Sequence, residues 1–382
     1  MKFNTVVIGA GYAGLVLAER LATQKNQKVL VIEQRQHIGG NTYDRFTDEG
    51  ILIHEYGPHI FHTRSKVIWD YLSQFTEWHH YEHRVKAMID GQEVPLPFNL
   101  NTMDQVFPKG LAQRLQTKLV DLLGYNVKVP ILKLREQEDE DLKFLADYVY
   151  EKVFLHYTLK QWGIGPEELD PTVTGRVPVY ISRDDRYFQD RYQGLPLRGY
   201  TAMFQKMINH PNISVLLNTN YRDVMTIEAG KIELFGQPFT GDVIYTGKID
   251  ELFDYKYGEL PYRSLRFEYD TYDQEYVQSV GQLNTPNGYD FTRKTEFKHL
   301  TGQKHPKTVV AREYPEAYVR GENTPYYPII ADENKEKLKQ YRKLAEQLEC
   351  VHLVGRLAEY RYYDMDGVVA AALKLAKKLI QE

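Results

Sequence analysis

Hydrophobic positions at the start of the chain change their spacing twice within about thirty residues. Residues 5–8 form a continuous β-branched run, and residues 28–33 form a second continuous and largely apolar run. Between them, apolar residues recur at the spacing of one helix face: Leu15, Leu17, Ala18 and Leu21. This order predicts a βαβ unit, the beginning of a Rossmann-type domain.

A glycine motif occupies the predicted turn between the first strand and the helix. Gly9, Gly11 and Gly14 form G-x-G-x-x-G, in which the glycines permit a tight turn, a close approach to a pyrophosphate and close helix–strand packing, respectively. The helix N-terminus also favours phosphate. Glu33 ends the second strand, where a carboxylate accepts a hydrogen bond from a ribose 2′-hydroxyl and repels a 2′-phosphate. The pattern predicts a dinucleotide site, and a ligand-free glycine turn is the simpler alternative.

Composition narrows the classes of function. The 382 residues carry 48 Lys plus Arg and 52 Asp plus Glu, a balance without the global field expected of a nucleic-acid or anionic-membrane partner. The single cysteine, Cys350, excludes a disulfide framework and a cysteine zinc cluster and favours a reducing cytoplasm. We find neither a signal peptide nor an apolar run of about 18 residues, and no metal-binding spacing. Thirty tyrosines suit stacking on bases and sugars, or ordinary packing.

The middle of the chain divides into helical and strand-like patterns. Helical spacing covers residues 107–123 and 139–160, and alternation typical of an antiparallel sheet covers residues 173–192 and 262–318. Three short runs are predicted to return to the nucleotide domain as strands: residues 213–217, 231–235 and 242–247.

The C-terminal end is predicted to complete the nucleotide domain. A strand at residues 351–354 precedes Gly355 and Arg356, and Asp364 and Asp366 precede a helix. That helix is predicted to bury Val368, Ala371, Leu373, Ala376 and Leu379. Its N-terminus is expected to face a cofactor ring that accumulates negative charge. Asp364 or Asp366 is expected to cap the same helix, since the two roles are compatible.

Two resemblances identify the expected cofactor and family. Residues 33–41, with a second Gly-Gly turn, resemble the run that lies along the adenine ribose and pyrophosphate in two-domain FAD proteins. Six runs that are more specific than the glycine motif occur in order at residues 56–63, 157–163, 184–188, 192–194, 325–328 and 355–366. Together they resemble bacterial UDP-galactopyranose mutases over residues 3–375.

The resemblance implies an α/β fold, with a Rossmann-type FAD-binding domain, an inserted helical domain and a twisted antiparallel β-sheet domain. The FAD-binding domain is expected to comprise residues 1–80, 199–250 and 335–382. The helical domain is expected at residues 99–172, followed by a mobile lid, and the sheet domain at residues 81–98, 173–198 and 251–334.

The implied activity is the interconversion of UDP-galactopyranose and UDP-galactofuranose without net redox. In this family N5 of reduced FAD attacks the anomeric carbon and forms a covalent flavin–sugar adduct. The resemblance also implies a homodimer. Because no nicotinamide site is evident, an external reductant is expected to supply electrons.

Site residues follow from the matching positions of the family. Arg176 and Arg293 are expected to clamp the diphosphate, with His59 and His62 beside the isoalloxazine. The expected substrate contacts are Val153, Tyr157, Thr158 and Trp162 for the uridine, and Tyr187, Phe188, Asn284, Tyr326, Tyr327 and Tyr362 for the phosphates and the rest of the pocket. The expected FAD contacts are Gly9, Gly11, Ala13, Gly14, Glu33, Gln34, Gly40, Asn41, His59, Ile60, Arg356, Tyr363, Asp364, Met365, Asp366, Gly367 and Val368.

Two segments depart from the family pattern and leave the sugar open. Residues 289–298 keep Arg293 but carry Phe297 where relatives usually have a histidine, and residues 280–284 are also altered. The same machinery could therefore act on UDP-N-acetylgalactose or on a dTDP-deoxysugar. An FAD-dependent oxidoreductase of the amine-oxidase type and a non-catalytic nucleotide-sugar or FAD-binding protein are the alternative functions.

Overall fold

The computed structural model describes residues 2–163, 165, 178–228 and 230–381. It begins with the predicted βαβ unit, in which strands Thr5–Ile8 and Val29–Ile32 pair in parallel around helix Tyr12–Gln24. All four apolar residues predicted to face the core of this unit are buried: Leu15, Leu17, Ala18 and Leu21.

A parallel sheet of five strands forms the centre of the nucleotide domain in the described part of the chain. Its strand order is Ile213–Leu216, Val29–Ile32, Thr5–Ile8, Asp242–Tyr245 and Val351–Leu353. Helices Tyr12–Gln24, Tyr200–Ile208 and Met365–Gln381 share one hydrophobic core on it. The predicted return of residues 231–235 to this domain was only partly right. Strand Lys231–Leu234 packs against the sheet but pairs with Met225–Glu228 and Gln237–Pro238 in a separate small sheet.

The predicted helical region contains several helices around one core. Leu100–Val106 and Lys109–Leu123 precede Ile131–Arg135 and Glu140–Val149. The predicted helix at residues 139–160 is interrupted by a π-helical segment, Tyr150–Leu155, and resumes as His156–Trp162. Strands Val127–Pro130 and Pro178–Ile181 pair beside this region. The predicted lid begins at residues outside the described part of the chain.

A larger sheet accounts for the predicted antiparallel domain. Its strand order is Tyr327–Pro328, Tyr262–Tyr272, Thr308–Ala317, Arg293–Glu296, Gln282–Asn284, Val85–Ile89 and Gln92–Leu96. All its pairs are antiparallel except Gln282–Asn284 with Val85–Ile89, which is parallel. Strand Tyr192–Pro196 pairs instead with Phe61–Thr63 and Trp78–His80. The division into three domains at the stated boundaries stays a prediction.

Shorter elements connect these parts. They are strands Asp44–Phe46 and Leu52–His54, helices Lys66–Leu72, Ile249–Leu252, Phe297–Thr301 and Asp332–Ala345, and the 3₁₀ turns Gly40–Thr42 and Tyr221–Asp223. Within the described ranges, no helix has both the length and the apolar character needed to cross a membrane. Among the same residues, no group of three or more His, Cys, Asp or Glu side chains is arranged to hold a metal ion.

Candidate active site

A cavity of about 740 Å³ lies at the carboxyl ends of the parallel strands. Gly9, Glu33, Thr246 and Gly355, which follow four different strands, all contribute to its wall. Open α/β sheets bind their ligands at this edge, outside the carboxyl ends of the strands. The cavity therefore stands where the glycine motif predicts a dinucleotide.

Close contacts explain why glycines stand in the motif at and beside this wall. Gly9 has φ +103°, and a Cβ atom there would lie 2.0 Å from Thr246 Oγ1. A Cβ on Gly14 would lie 2.0 Å from the carbonyl oxygen of Gly9, which is the close helix–strand packing predicted for it. The two glycine turns also approach each other, since a Cβ on Gly40 would lie 3.0 Å from Gly11 Cα. Gly9 and Gly14 leave no room for a Cβ, as expected for the tight turn and the close helix–strand packing of a dinucleotide-binding motif.

Polar groups of the cavity wall suit a pyrophosphate-containing cofactor. Glu33 accepts hydrogen bonds from the N–H groups of Ala10 (2.8 Å) and Arg35 (2.9 Å). Arg35 donates through Nη2 to Asn41 Oδ1 (2.9 Å), and its guanidinium carbon lies 4.4 Å from the centre of the Tyr56 ring. Arg35 Nη1 is buried with no hydrogen-bond partner among the described residues. A buried, unpaired donor on a permanent cation calls for an anion, so the residues present fit FAD.

The C-terminal helix contributes the other end of the cavity. Met365 and Val368, in its first turn, line the cavity together with Gly355 and Arg356. Asp366 Oδ1 accepts the N–H of Gly367 (2.7 Å), a hydrogen bond inside the first turn, and capping of the helix by Asp364 or Asp366 stays a prediction. Of the residues predicted to contact FAD, Gly14, Ile60, Tyr363, Asp364, Asp366 and Gly367 do not line the cavity, whereas Gly11, Ala13, Gln34, Gly40, Asn41 and His59 do.

Arg356 joins the cofactor cavity to the predicted substrate residues. Its guanidinium donates to the carbonyl oxygens of Tyr363 (2.6 Å) and Tyr326 (3.3 Å). It also lies 5.2 Å from the ring centre of Tyr327 and 5.3 Å from that of Tyr362. These two rings stack at 5.7 Å with an interplanar angle of 8°. A continuous aromatic wall thus begins at the cavity edge.

This wall continues to the helix that carries the predicted uridine contacts. The ring of Trp162 lies 6.0 Å from that of Tyr327. Tyr157, one helical turn earlier, is half-buried and interacts electrostatically with Arg293. Thr158 and Val153 are buried, Val153 within the helical core rather than at a cavity surface.

Arg293 forms a buried ion pair with Glu313 on the neighbouring strand. Arg293 Nε and Nη2 each lie 2.7 Å from Glu313 Oε2, and the Glu313 side chain is 2% exposed. Burial by itself lowers the pKa of Arg293. The combined effect of Glu313, Tyr157 and Tyr327 raises it by more, so the pKa of Arg293 lies above the ordinary value. The guanidinium is therefore charged at any working pH and fixed in orientation.

The predicted histidines have different surroundings. His59 lines the cavity, and its Nδ1 lies 2.8 Å from the carbonyl oxygen of Gly57, so Nδ1 must carry the hydrogen. Burial, together with the nearby His54, Arg356 and Arg293, lowers the pKa of His59 to about 3. His62 does not line the cavity; its Nδ1 lies 2.6 Å from Asp190 Oδ2 and its ring stacks on Phe188 at 3.6 Å.

The remaining predicted residues lie on or near the larger sheet, except one. Asn284 is buried and accepts a hydrogen bond from Gln282 Nε2 (2.9 Å). Tyr187 packs edge-on against Phe188, and Tyr326 lies 6.3 Å from Tyr327 between ring centres. The predicted Arg176 lies outside the described residues.

Two residues of the site were missed by the sequence reasoning. Arg35 stands inside the run that was matched to FAD proteins, and a cation within a phosphate-binding run was the available signal. Glu313 lies directly opposite Arg293 in the register of two antiparallel strands. Nothing local in the sequence indicates that register.

Comparison with known proteins agrees with this geometry. Residues 152–362 match the family model described as UDP-galactopyranose mutase. The chain is 38% identical to a probable UDP-galactopyranose mutase of Klebsiella pneumoniae, with 99% of this chain and 94% of the relative covered. The chain belongs to the UDP-galactopyranose mutase family. The prediction of an FAD-dependent isomerase of this family is thereby confirmed.

Other matches describe the breadth of this family and its fold. A dTDP-fucopyranose mutase of Escherichia coli is 35% identical, with 99% of this chain and 98% of the relative covered. Residues 7–75 match an NAD(P)-binding Rossmann-like domain. The fold resembles the crystal structure of a reduced UDP-galactopyranose mutase with a TM-score of 0.74 at 16% identity, covering 100% of this chain and 94% of that one. A putrescine oxidase shares the fold with a TM-score of 0.62 at 12% identity, with full coverage of both chains. The predicted Rossmann-type fold is confirmed.

Proposed function

We propose that this member of the UDP-galactopyranose mutase family interconverts UDP-galactopyranose and UDP-galactofuranose on reduced FAD. One observation carries the proposal. Arg356, which lines the cavity that fits a dinucleotide, lies against the stacked rings of Tyr327 and Tyr362. Tyr327 in turn interacts electrostatically with Tyr157 and Arg293. This contact supports the proposal because the residues proposed for the cofactor adjoin those proposed for the nucleotide sugar, as a reaction between the two requires.

Arg293 has the properties needed to hold a departing diphosphate. Its positive charge is permanent, and Glu313 engages Nε and Nη2, which leaves Nη1 to donate toward the substrate. A fixed cation stabilises the charge that develops on the UDP as the anomeric bond breaks. Arg176, predicted to act with it, belongs to the same proposal. The aromatic faces of Tyr157 and Trp162 would hold the uracil, with Thr158 as a polar contact.

His59 is proposed to act as a neutral hydrogen-bond acceptor. Because its Nδ1 donates to Gly57, Nε2 is the ring nitrogen with a free lone pair, and a pKa of about 3 keeps the ring uncharged. FAD, when bound in its reduced state, supplies the nucleophile for the anomeric carbon. An uncharged His59 beside the cofactor can accept a hydrogen bond without competing with Arg293 for the diphosphate.

A second substrate class has its own support. The relative named dTDP-fucopyranose mutase is 35% identical, close to the value for the UDP-galactopyranose relative. Of the two altered runs, residues 289–298 contain Arg293 and residues 280–284 precede it in the chain. A dTDP-linked deoxysugar is therefore the alternative substrate.

Assembly, location and electron supply complete the proposal. We propose a homodimer in the cytoplasm that receives electrons from an external reductant. The exposed thiol of Cys350 is compatible with a reducing compartment. Light scattering coupled to gel filtration tests the dimer directly.

The first experiment is a chromatographic assay with UDP-galactofuranose and, separately, dTDP-fucofuranose, each with and without dithionite. Conversion of the UDP sugar only after reduction is expected. Preferential conversion of the dTDP sugar would support the alternative substrate. No conversion of either, together with peroxide formation from amines, would refute the mutase and favour the oxidoreductase. Arg293→Met serves as the inactive control.

A further inference from the structure

Lys160 reaches from the proposed uridine-binding helix to the larger sheet. Its Nζ lies within hydrogen-bond distance of three backbone carbonyl oxygens, those of Thr285 (2.6 Å), Tyr289 (3.1 Å) and Phe291 (3.3 Å). An ammonium group has three N–H donors, one for each of these acceptors. Lys160 belongs to the helix His156–Trp162, and no role has been assigned to it above.

The three carbonyls belong to the loop that connects Asn284 to Arg293. These two residues end and begin neighbouring paired strands. Within the loop, Thr285 N–H donates to Thr292 O (2.8 Å), and the Thr285 hydroxyl donates to Phe291 O (2.8 Å). The loop is thus closed on itself, and Lys160 holds it from outside. The position of Arg293 depends on this loop because Arg293 directly follows it.

The end of the helix is held by a different cation. Arg263, on strand Tyr262–Tyr272, donates to the carbonyl oxygens of Gln161 (3.0 Å) and Lys160 (3.3 Å). The helix then ends at Gly163, which has φ +73°. A cation at a helix C-terminus satisfies its last carbonyls. Arg263 therefore caps the helix, whereas Lys160 links the helix to the loop before Arg293.

We propose that Lys160 is a positioning residue that fixes the uridine-binding helix relative to Arg293, so that base and diphosphate are bound in register. A nucleoside diphosphate has a limited span between its base and its phosphates, so the two parts of its site must stay within a matching distance. The proposal rests on the proposed function, since that function assigns the uridine to Tyr157 and Trp162 and the diphosphate to Arg293.

Charge at Lys160 makes the link sensitive to pH. Burial lowers the pKa of Lys160 to about 8, against an opposing influence of the Asp290 carboxylate. The other titratable or charged groups around it, among the described residues, are His156 and Tyr289, which line the surface depression beside it, and the Arg263 guanidinium at its carbonyl. Deprotonation leaves two N–H donors for three carbonyls, so the link weakens above about pH 8.

The test compares Lys160→Met and Lys160→Arg with Lys143→Met, a control at an exposed lysine of the preceding helix. UDP affinity is measured by quenching of tryptophan fluorescence, and kcat and KM are measured on the reduced enzyme between pH 6.5 and 9.5. Lys160→Met is expected to weaken UDP binding and to lower kcat/KM by about tenfold or more, the usual effect of losing hydrogen bonds to a charged group. Lys143→Met should stay within about twofold.

Further readouts separate positioning from general stability. Lys160→Met should keep the FAD content of the wild type and stay folded at the assay temperature, and the wild-type decline in activity near pH 8 should be absent in Lys160→Arg. Unchanged UDP affinity and kcat/KM in Lys160→Met, or loss of FAD in that variant, would overturn the inference while leaving the proposed function intact. Wild-type protein that does not bind UDP would instead overturn the proposed function and this inference together.

Discussion

The ion pair between Arg293 and Glu313 permits a test that separates substrate binding from folding. Arg293→Met keeps most of the side-chain volume and removes the charge. It leaves the Glu313 carboxylate in a site where its side chain is 2% exposed, with the Thr292 hydroxyl at 3.3 Å as a remaining donor. Breaking a buried pair by removing one partner destabilises a protein by about 3–5 kcal/mol.

The size of this effect should depend on pH and on the second partner. At lower pH the stranded carboxylate can take up a proton and become neutral, so the loss should shrink. Glu313→Gln on the Arg293→Met background removes the stranded charge altogether. The double variant should therefore recover most of the lost free energy of unfolding, yet it should remain inactive because no cation faces the diphosphate.

The assay is urea unfolding of the FAD-loaded protein at pH 7, followed by circular dichroism and by flavin fluorescence. Turnover is measured on the same samples. Equal stability of the single and double variants would refute the argument that an unpaired Glu313 causes the loss. Wild-type turnover in either variant would refute the role of Arg293 at the diphosphate.

Other expected outcomes follow from the glycine cradle and the buried histidines. Gly14→Ala would place a Cβ 2.0 Å from the carbonyl of Gly9 and should leave the purified protein without flavin absorbance, whereas Gly110→Ala, with no atom within 4 Å, should keep it. Burial lowers the pKa of His54 and of His83 to about 3. Between pH 3 and about pH 6.5 each of these histidines is protonated in the unfolded chain but neutral in the folded one. Each should therefore lower the free energy of unfolding by about 2 kcal/mol as the pH falls from 7 to 5. His83→Gln should reduce the wild-type loss by that amount in urea titrations at the two pH values, and an unchanged loss would contradict the assignment.

Local patterns predicted the nucleotide-binding end of the molecule well. Strand Thr5–Ile8 has the predicted bounds, and Gly9 and Gly14 have the close contacts that the motif requires. These features depend on residues within about thirty positions of each other. Short-range sterics and burial therefore determine them, and a single sequence contains that information.

The register of the C-terminal helix was less predictable. The buried residues include Val369 and Ala372, whereas the predicted Val368, Ala371 and Leu373 are only partly buried. The apolar run at residues 368–373 has neighbouring residues of similar size, so periodicity alone does not choose between adjacent faces. Docking against the first helix, Tyr12–Gln24, chooses the face. The pairing of Glu313 with Arg293 likewise depends on contacts between distant parts of the chain, so the local sequence does not predict it.

We predict that sugar specificity depends on the strand Gln282–Asn284 rather than on Arg293, the residue proposed to bind the diphosphate. Relatives named for a UDP sugar and for a dTDP sugar match the chain at 38% and 35% identity, and both substrates contain the diphosphate that Arg293 would bind. Gln282 donates to Asn284 Oδ1, so Asn284 presents its Nδ2 donor as its other polar atom. We predict that this donor would favour a substrate oxygen at this position and would be left unsatisfied by a deoxy position. The altered run at residues 280–284 is therefore where a change of sugar should first be sought.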